Sequence, residues 1–168
     1  MKRLLSAVCC ITLCSLPVLA LAQKPPMSDQ KFVDLAAQTD MVEANLGQLA
    51  QSAASSQAVK DYAQMLITDH TDDFNHLYDV AHQANLNRPG AIDAAHNRAM
   101  IAPYQKLKDK AFDRRYIHDM IAGHTQAIAI YKKEAAAADN PALKSYAQDT
   151  LPTLQKHLDA AKALEKAK

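Results

Sequence analysis

Four stretches of this chain carry core-type residues three and four apart over many turns, and that repeat leaves little besides a bundle of long helices. The first stripe reads Phe32, Ala36, Thr39, Glu43, Leu46, Ala50, and the second Val59, Ala63, Leu66, His70, Leu77, with Phe74 beside it. The others read Asp113, Ile117, Met120, His124, Ala127, Tyr131 and then Leu143, Ala147, Thr150, Leu154, His157, Ala161, Leu164. Only three glycines and no tryptophan occur in this alanine-rich text, and no strand-like alternation competes with the helical period. The expected class is all-α, a four-helix bundle.

Breakers divide the helices. Ser28 suits an N-cap for helix 1 over about 28–54, and Ser55-Ser56 makes a tight break before helix 2 over about 57–84. Asn85 to Gly90 is a loop, and 92–108 predicts a shorter connecting helix, irregular near Pro103. A long helix over about 110–138 follows. Asp139-Asn140-Pro141 then ends it and starts the last, over 141–166, with Asn140 capping and Pro141 in the tolerated first turn. Short breaks imply two antiparallel hairpins. The long middle connection leaves helices 2 and 4 free to run parallel or antiparallel. Near-parallel packing suits 3-4 stripes. Pro152 removes one backbone hydrogen bond and frees the Gln148 carbonyl, so a kink is expected there, most simply as curvature around the core.

The first 22 residues are read as a cleaved export signal. Lys2 and Arg3 precede an apolar Leu4–Leu19 run, and Ala20-Leu21-Ala22 offers a small-residue cleavage site, so the mature chain starts at Gln23. A retained anchor fits less well because the run is short of the roughly 20 residues a span needs and holds Pro17. A lipoprotein signal would want a small residue before its cysteine, and Cys9, Cys10 and Cys14 follow Val8, Cys9 and Leu13. Cleavage removes all three cysteines, leaving no disulfide or thiolate. Residues 23–168 form one 146-residue domain with 17 basic and 18 acidic residues. That balance argues against nucleic acid or an anionic membrane as partner, and no integral membrane segment remains. The expected location is the periplasm.

Glu43, His70, His124 and His157 stand on four different stripes where leucine or alanine would be ordinary. An ionisable group placed there must be paired, hydrogen-bonded or metal-bound. Glu43 lies 12 residues before the first hairpin break and His70 15 after it; His124 lies 16 before the second and His157 17 after it. At about 1.5 Å per residue the mismatch within each hairpin is one turn or less, so all four can meet at mid-height. Three imidazoles and a carboxylate suit a single zinc or copper ion. Met120, four residues before His124, shares its face and would bias the choice toward copper, with Met41 and Met65 also mid-helix. Asp73, three after His70, is expected to orient that ring. The bland counterpart is a hydrogen-bonded layer that fixes helix register without metal. His76, His82, His96 and His118 fall off the stripes and are expected in solvent.

The segments FVDLAAQTDMVEANLGQL (32–49), VKDYAQMLITDH (59–70), FDRRYIHDMIAGH (112–124) and LPTLQKHL (151–158) together resemble DUF4142, a family of exported bacterial proteins of unknown function grouped with ferritin-like bundles. The resemblance implies a ferritin-like bundle in the cell envelope and brings no activity with it. Di-iron bundles place Glu-x-x-His on two helices. Here Ile67 and Leu154 stand three before His70 and His157, so iron chemistry of that kind is not expected.

The leading expectation is therefore a non-enzymatic periplasmic bundle holding one transition-metal ion, in metal homeostasis or envelope stress. The alternative is a metal-free structural module that docks an envelope protein. A water-bearing metal enzyme ranks last, because no nucleophile elbow, phosphate-cradling glycine loop or Cys/His dyad is present.

Overall fold

The computed structural model describes residues 27–167, and the export signal expected before Gln23 lies outside them. Five α-helices and no strand occur among the described residues: α1 (Asp29–Ala53), α2 (Gln57–Gln83), α3 (Ala94–Ile101), α4 (Asp109–Ala137) and α5 (Pro141–Lys166). None of these helices is long and apolar enough to cross a membrane.

Local signals account for most boundaries. The Ser28 side chain accepts from the Lys31 amide, and Asn140 accepts from Ala142 ahead of Pro141. α2 ends in a Schellman motif: Leu86 N–H donates to Ala81 O at 2.9 Å and Asn85 N–H to His82 O at 3.2 Å, with Asn85 at φ 56°. Asparagine tolerates that left-handed turn better than most residues. The α1–α2 turn is held from outside. Asp113 of α4 accepts from Ser55 N–H (3.0 Å), Ser55 Oγ–H (2.7 Å) and Ser56 N–H (3.0 Å), which explains an acid on that stripe. α5 continues through Pro152, which lies on an exposed face.

The ends of the helices fix the topology. Asp29 at the start of α1 meets the Asn140 amide at the α4–α5 turn, and the Asn140 side chain donates to Ala84 O at the end of α2. Asp113 near the start of α4 meets the end of α1. α1 therefore packs antiparallel to both α2 and α4, and α5 antiparallel to both α2 and α4. The two diagonal pairs run parallel, which settles the relation of α2 to α4. Since α2 ends where α4 ends, residues 85–108 must return along the bundle, about 37 Å for a helix of α1's length. This strap is tied to α1 by paired Gln30–Asn87 bonds (2.9 and 3.2 Å), by Asp93 N–H to Gln38 (3.1 Å) and by Asn45 to Asn97 (3.3 Å). It reaches α4 through Tyr104, whose hydroxyl donates to Asp119 at 2.6 Å.

The apolar core is in two parts. One, around Phe32, Leu77, Tyr131, Leu143 and Tyr146, fills the end where α1 begins. The other, around Leu46, Leu66, Phe112, Tyr116 and Ile117, fills the opposite end. A buried polar layer lies between them. α1 and α2 approach closely at Gly47, where an added Cβ would stand 2.8 Å from Ile67 Cγ1 and 3.0 Å from the Ala63 carbonyl.

Two outcomes test this packing by urea denaturation. Gly47→Val should destabilise by about 1–3 kcal/mol, because the backbone carbonyl cannot step aside. Asp113→Ala should cost about 2–3 kcal/mol by stripping the turn of its acceptors, and Asp113→Asn less.

Candidate metal centre

The four expected residues do converge. Glu43 from α1, His70 from α2, His124 from α4 and His157 from α5 are all buried, with His124 at 0 % exposure. One ring nitrogen from each histidine lies within 4.8 Å of the other two. Glu43 Oε2 is 3.0 Å from His70 Nε2 and 3.4 Å from His124 Nε2, while His124 Nε2 is 3.2 Å from His157 Nδ1.

Each ring is held from behind. His124 Nδ1 donates to the Met120 carbonyl at 2.9 Å, one turn back on its own helix. His70 Nδ1 donates to Asp40 Oδ1 at 2.9 Å, and His157 Nε2 to Asp69 Oδ2 at 2.8 Å. These acceptors fix the tautomers. A carbonyl can only accept, so neutral His124 must turn a lone pair inward at Nε2, and Asp69 imposes the same on His157 at Nδ1. With both rings neutral, two lone pairs face each other at 3.2 Å, a contact that repels unless a proton or a metal ion lies between them. His70 Nε2 and Glu43 Oε2 are close but poorly aligned, and both lack a hydrogen-bond partner.

Ligand atoms about 2.0–2.1 Å from a common tetrahedral ion stand about 3.3 Å apart. Three of the six edges here, 3.0, 3.2 and 3.4 Å, match that spacing, and the histidine nitrogens all lie within 4.8 Å of one another. The residues present therefore fit a metal ion, with the carboxylates of Asp40 and Asp69 as outer supports.

Electrostatics follow from the same contacts. Burial raises Glu43, but His124 and His70 outweigh it and hold the carboxyl at about 2. Burial works against charge on His70, yet Glu43 and Asp40 keep that ring well above its ordinary range. Burial pushes Asp40 up to about 7 in spite of its bond to His70. Burial also lowers His157 to about 4, even with Asp69 beside it.

Some expectations need correction. Asp73 does not orient His70: it accepts from Tyr146 Oη–H at 2.7 Å and Thr150 Oγ1–H at 3.3 Å. Asp40 has that part, and it stands inward where Thr39 was expected. An inward stripe over 100° wide takes in the neighbouring position, which is the signal that could have found it. Asp69, next to His70 in sequence, was also missed. Met120 supports the site through its main-chain carbonyl, while its side chain packs in the apolar cluster with Phe112 and Ile117. Met41 and Met65 pack against separate halves of the core. His76, His82, His96 and His118 are exposed, as expected.

The fold and site define a class, an all-α bundle with a histidine-rich buried centre. The chain belongs to the family described as Domain of unknown function (DUF4142), which matches residues 16–164. No curated protein sequence matches it. Among solved structures it is similar to CopM in the Cu(II)-bound form, with a TM-score of 0.71, 16 % identity, and coverage of 85 % of this chain and 99 % of that one. CopM in the Cu(I)-bound form gives 0.68 and 18 % identity over 84 % and 97 %. CopM co-crystallised with silver gives 0.65 and 16 % over 84 % and 97 %. At these identities the likeness is one of fold.

The depressed His157 sets a pH dependence for the metal-free protein. Between its ordinary 6.5 and about 4, the unfolded chain binds a proton that the folded chain refuses. Stability should therefore fall as pH drops through that window, by about 1–3 kcal/mol, and level off below it as far as this group is concerned. Denaturation of His157→Gln across the same range should show a shallower loss.

Proposed function

We propose that this protein binds a single copper ion between Glu43, His70, His124 and His157, as an exported binding or buffering protein of the periplasm. The observation that carries the reading is the His124–His157 contact: each ring has its other nitrogen committed to an acceptor, and the two free nitrogens turn toward one point at 3.2 Å. The unpartnered Glu43 Oε2 and His70 Nε2 beside it support the same centre.

Imidazole and carboxylate donors suit zinc and copper alike. Copper is favoured because the similar solved structures are named as copper- and silver-bound forms of CopM. Three nitrogens and one carboxylate oxygen form a borderline-to-hard set, which favours Cu(II) over the softer Cu(I) and Ag(I). Four protein donors fill the positions of a four-coordinate ion and leave none for substrate, so the reading is binding rather than catalysis. Export rests on Lys2-Arg3, the Leu4–Leu19 run and Ala20-Leu21-Ala22. Metal buffering under envelope stress is the role such a site would serve.

One observation favours a metal-free reading. His70 between Asp40 and Glu43 can hold a proton and act as a buried ion triad that sets helix register. The two readings separate on purified residues 23–168. Calorimetric titration near pH 7 should show one saturable equivalent of Cu(II), tighter than Zn(II), and none in the His70→Ala/His124→Ala variant. Copper at 100 times its Kd should add about 2.7 kcal/mol to stability, a rise in Tm of about 5–10 °C for a domain of this size. Full stability with the layer replaced by apolar residues, and no saturable copper, would leave the register reading standing.

A further inference from the structure

The ligands are buried, so an ion needs a way to reach them. Between α2 and α5 lies a groove of about 410 Å³ whose floor includes His70 and His157. At about 30 Å³ per water it holds on the order of ten molecules, enough for an ion that still keeps its hydration shell. His70, only 3 % exposed, lines this groove, and its Nε2, buried within and facing Glu43 at 3.0 Å, has no hydrogen-bond partner.

The walls are predominantly acidic. Asp69, Asp72 and Asp73 come from α2 and Asp149 from α5, against Lys156. Among these acids Asp69 holds a candidate ligand, with His157 Nε2 at 2.8 Å, while Lys156 Nζ stands 3.5 Å from the same oxygen. The lysine is 62 % exposed, free to swing into solvent when a cation takes its place beside the carboxylate. Above and below the layer, by contrast, an ion would have to cross apolar side chains such as Leu77 and Tyr131 or Leu66 and Ile117.

We infer that the α2–α5 groove is the path by which a divalent cation reaches and leaves the buried centre, with the exposed Asp72 and Asp149 as its charged mouth and Asp69, which holds His157, as the last carboxylate before the ligands. The inference rests on the copper-binding reading and adds the route. Stepwise carboxylates replace hydration water as the ion sheds it, and a predominantly acidic mouth raises the encounter rate.

The experiment is stopped-flow loading of residues 23–168 with Cu(II), and release to an excess chelator. Thr153 lines the groove one turn before His157 and is not itself one of the four candidate ligands, and Thr153→Trp should obstruct it. Loading and release should slow by the same factor with Kd unchanged, the signature of a blocked path. Gln48→Trp, on the exposed face of α1, should leave both rates alone. Asp72→Asn/Asp149→Asn should load severalfold more slowly at low salt, and the difference should fade as added salt screens the mouth. Wild-type loading in Thr153→Trp overturns the route. If circular dichroism shows that tryptophan unfolds the bundle, the asparagine pair decides, and an unchanged low-salt loading rate overturns it. Absence of copper binding by the wild-type chain overturns the function and the route together, whereas wild-type binding with unaltered variant rates overturns the route alone.

Discussion

Two imidazole nitrogens brought to 3.2 Å of each other inside the bundle are the constraint on which the rest of the site depends. The main-chain carbonyl of Met120 and the carboxylate of Asp69 leave His124 and His157 no other neutral tautomer. Such an arrangement is unfavourable by itself, and the apolar clusters on either side must hold it in place. Two nearby features follow from the same demand. Glu43 brings a negative charge to the point where the lone pairs meet, and Asp40 keeps His70 turned toward it. Support passes between helices, since α1 positions a ring on α2 and α2 positions a ring on α5.

The architecture was legible because each long helix declares itself several times over. Stripe, cap and breaker agree at Ser28 and at Asn140-Pro141, and stripe and breaker agree at the serine pair before α2, where Ser56 makes no side-chain cap. Agreement across levels is what makes a sequence specify one fold. The direction of α2 relative to α4 was not legible, because the connection is long enough for either and the deciding contacts, Asp29 with Asn140 and Asp113 with Ser55, join residues far apart in the chain.

The inner residues of the site could be read from the stripes, since a histidine or glutamate among leucines and alanines stands out. The residues behind them could not. Asp40 and Asp69 are ordinary acids on helices that carry many, and only side-chain direction separates them from Asp73, which turns to Tyr146 instead. Met120 misled for a related reason. Its position was right, but it is the carbonyl that touches the ring, and every residue has one.

The strap from 85 to 108 has an effect beyond joining two helices. Its ties are to Gln30, Gln38 and Asn45 on one helix and Asp119 on another, so it roofs the α1–α4 side of the molecule. A bundle roofed on one flank is left bare on the opposite one, between α2 and α5. Which flank meets solvent thus follows from chain connectivity, whatever side chains fill the interior.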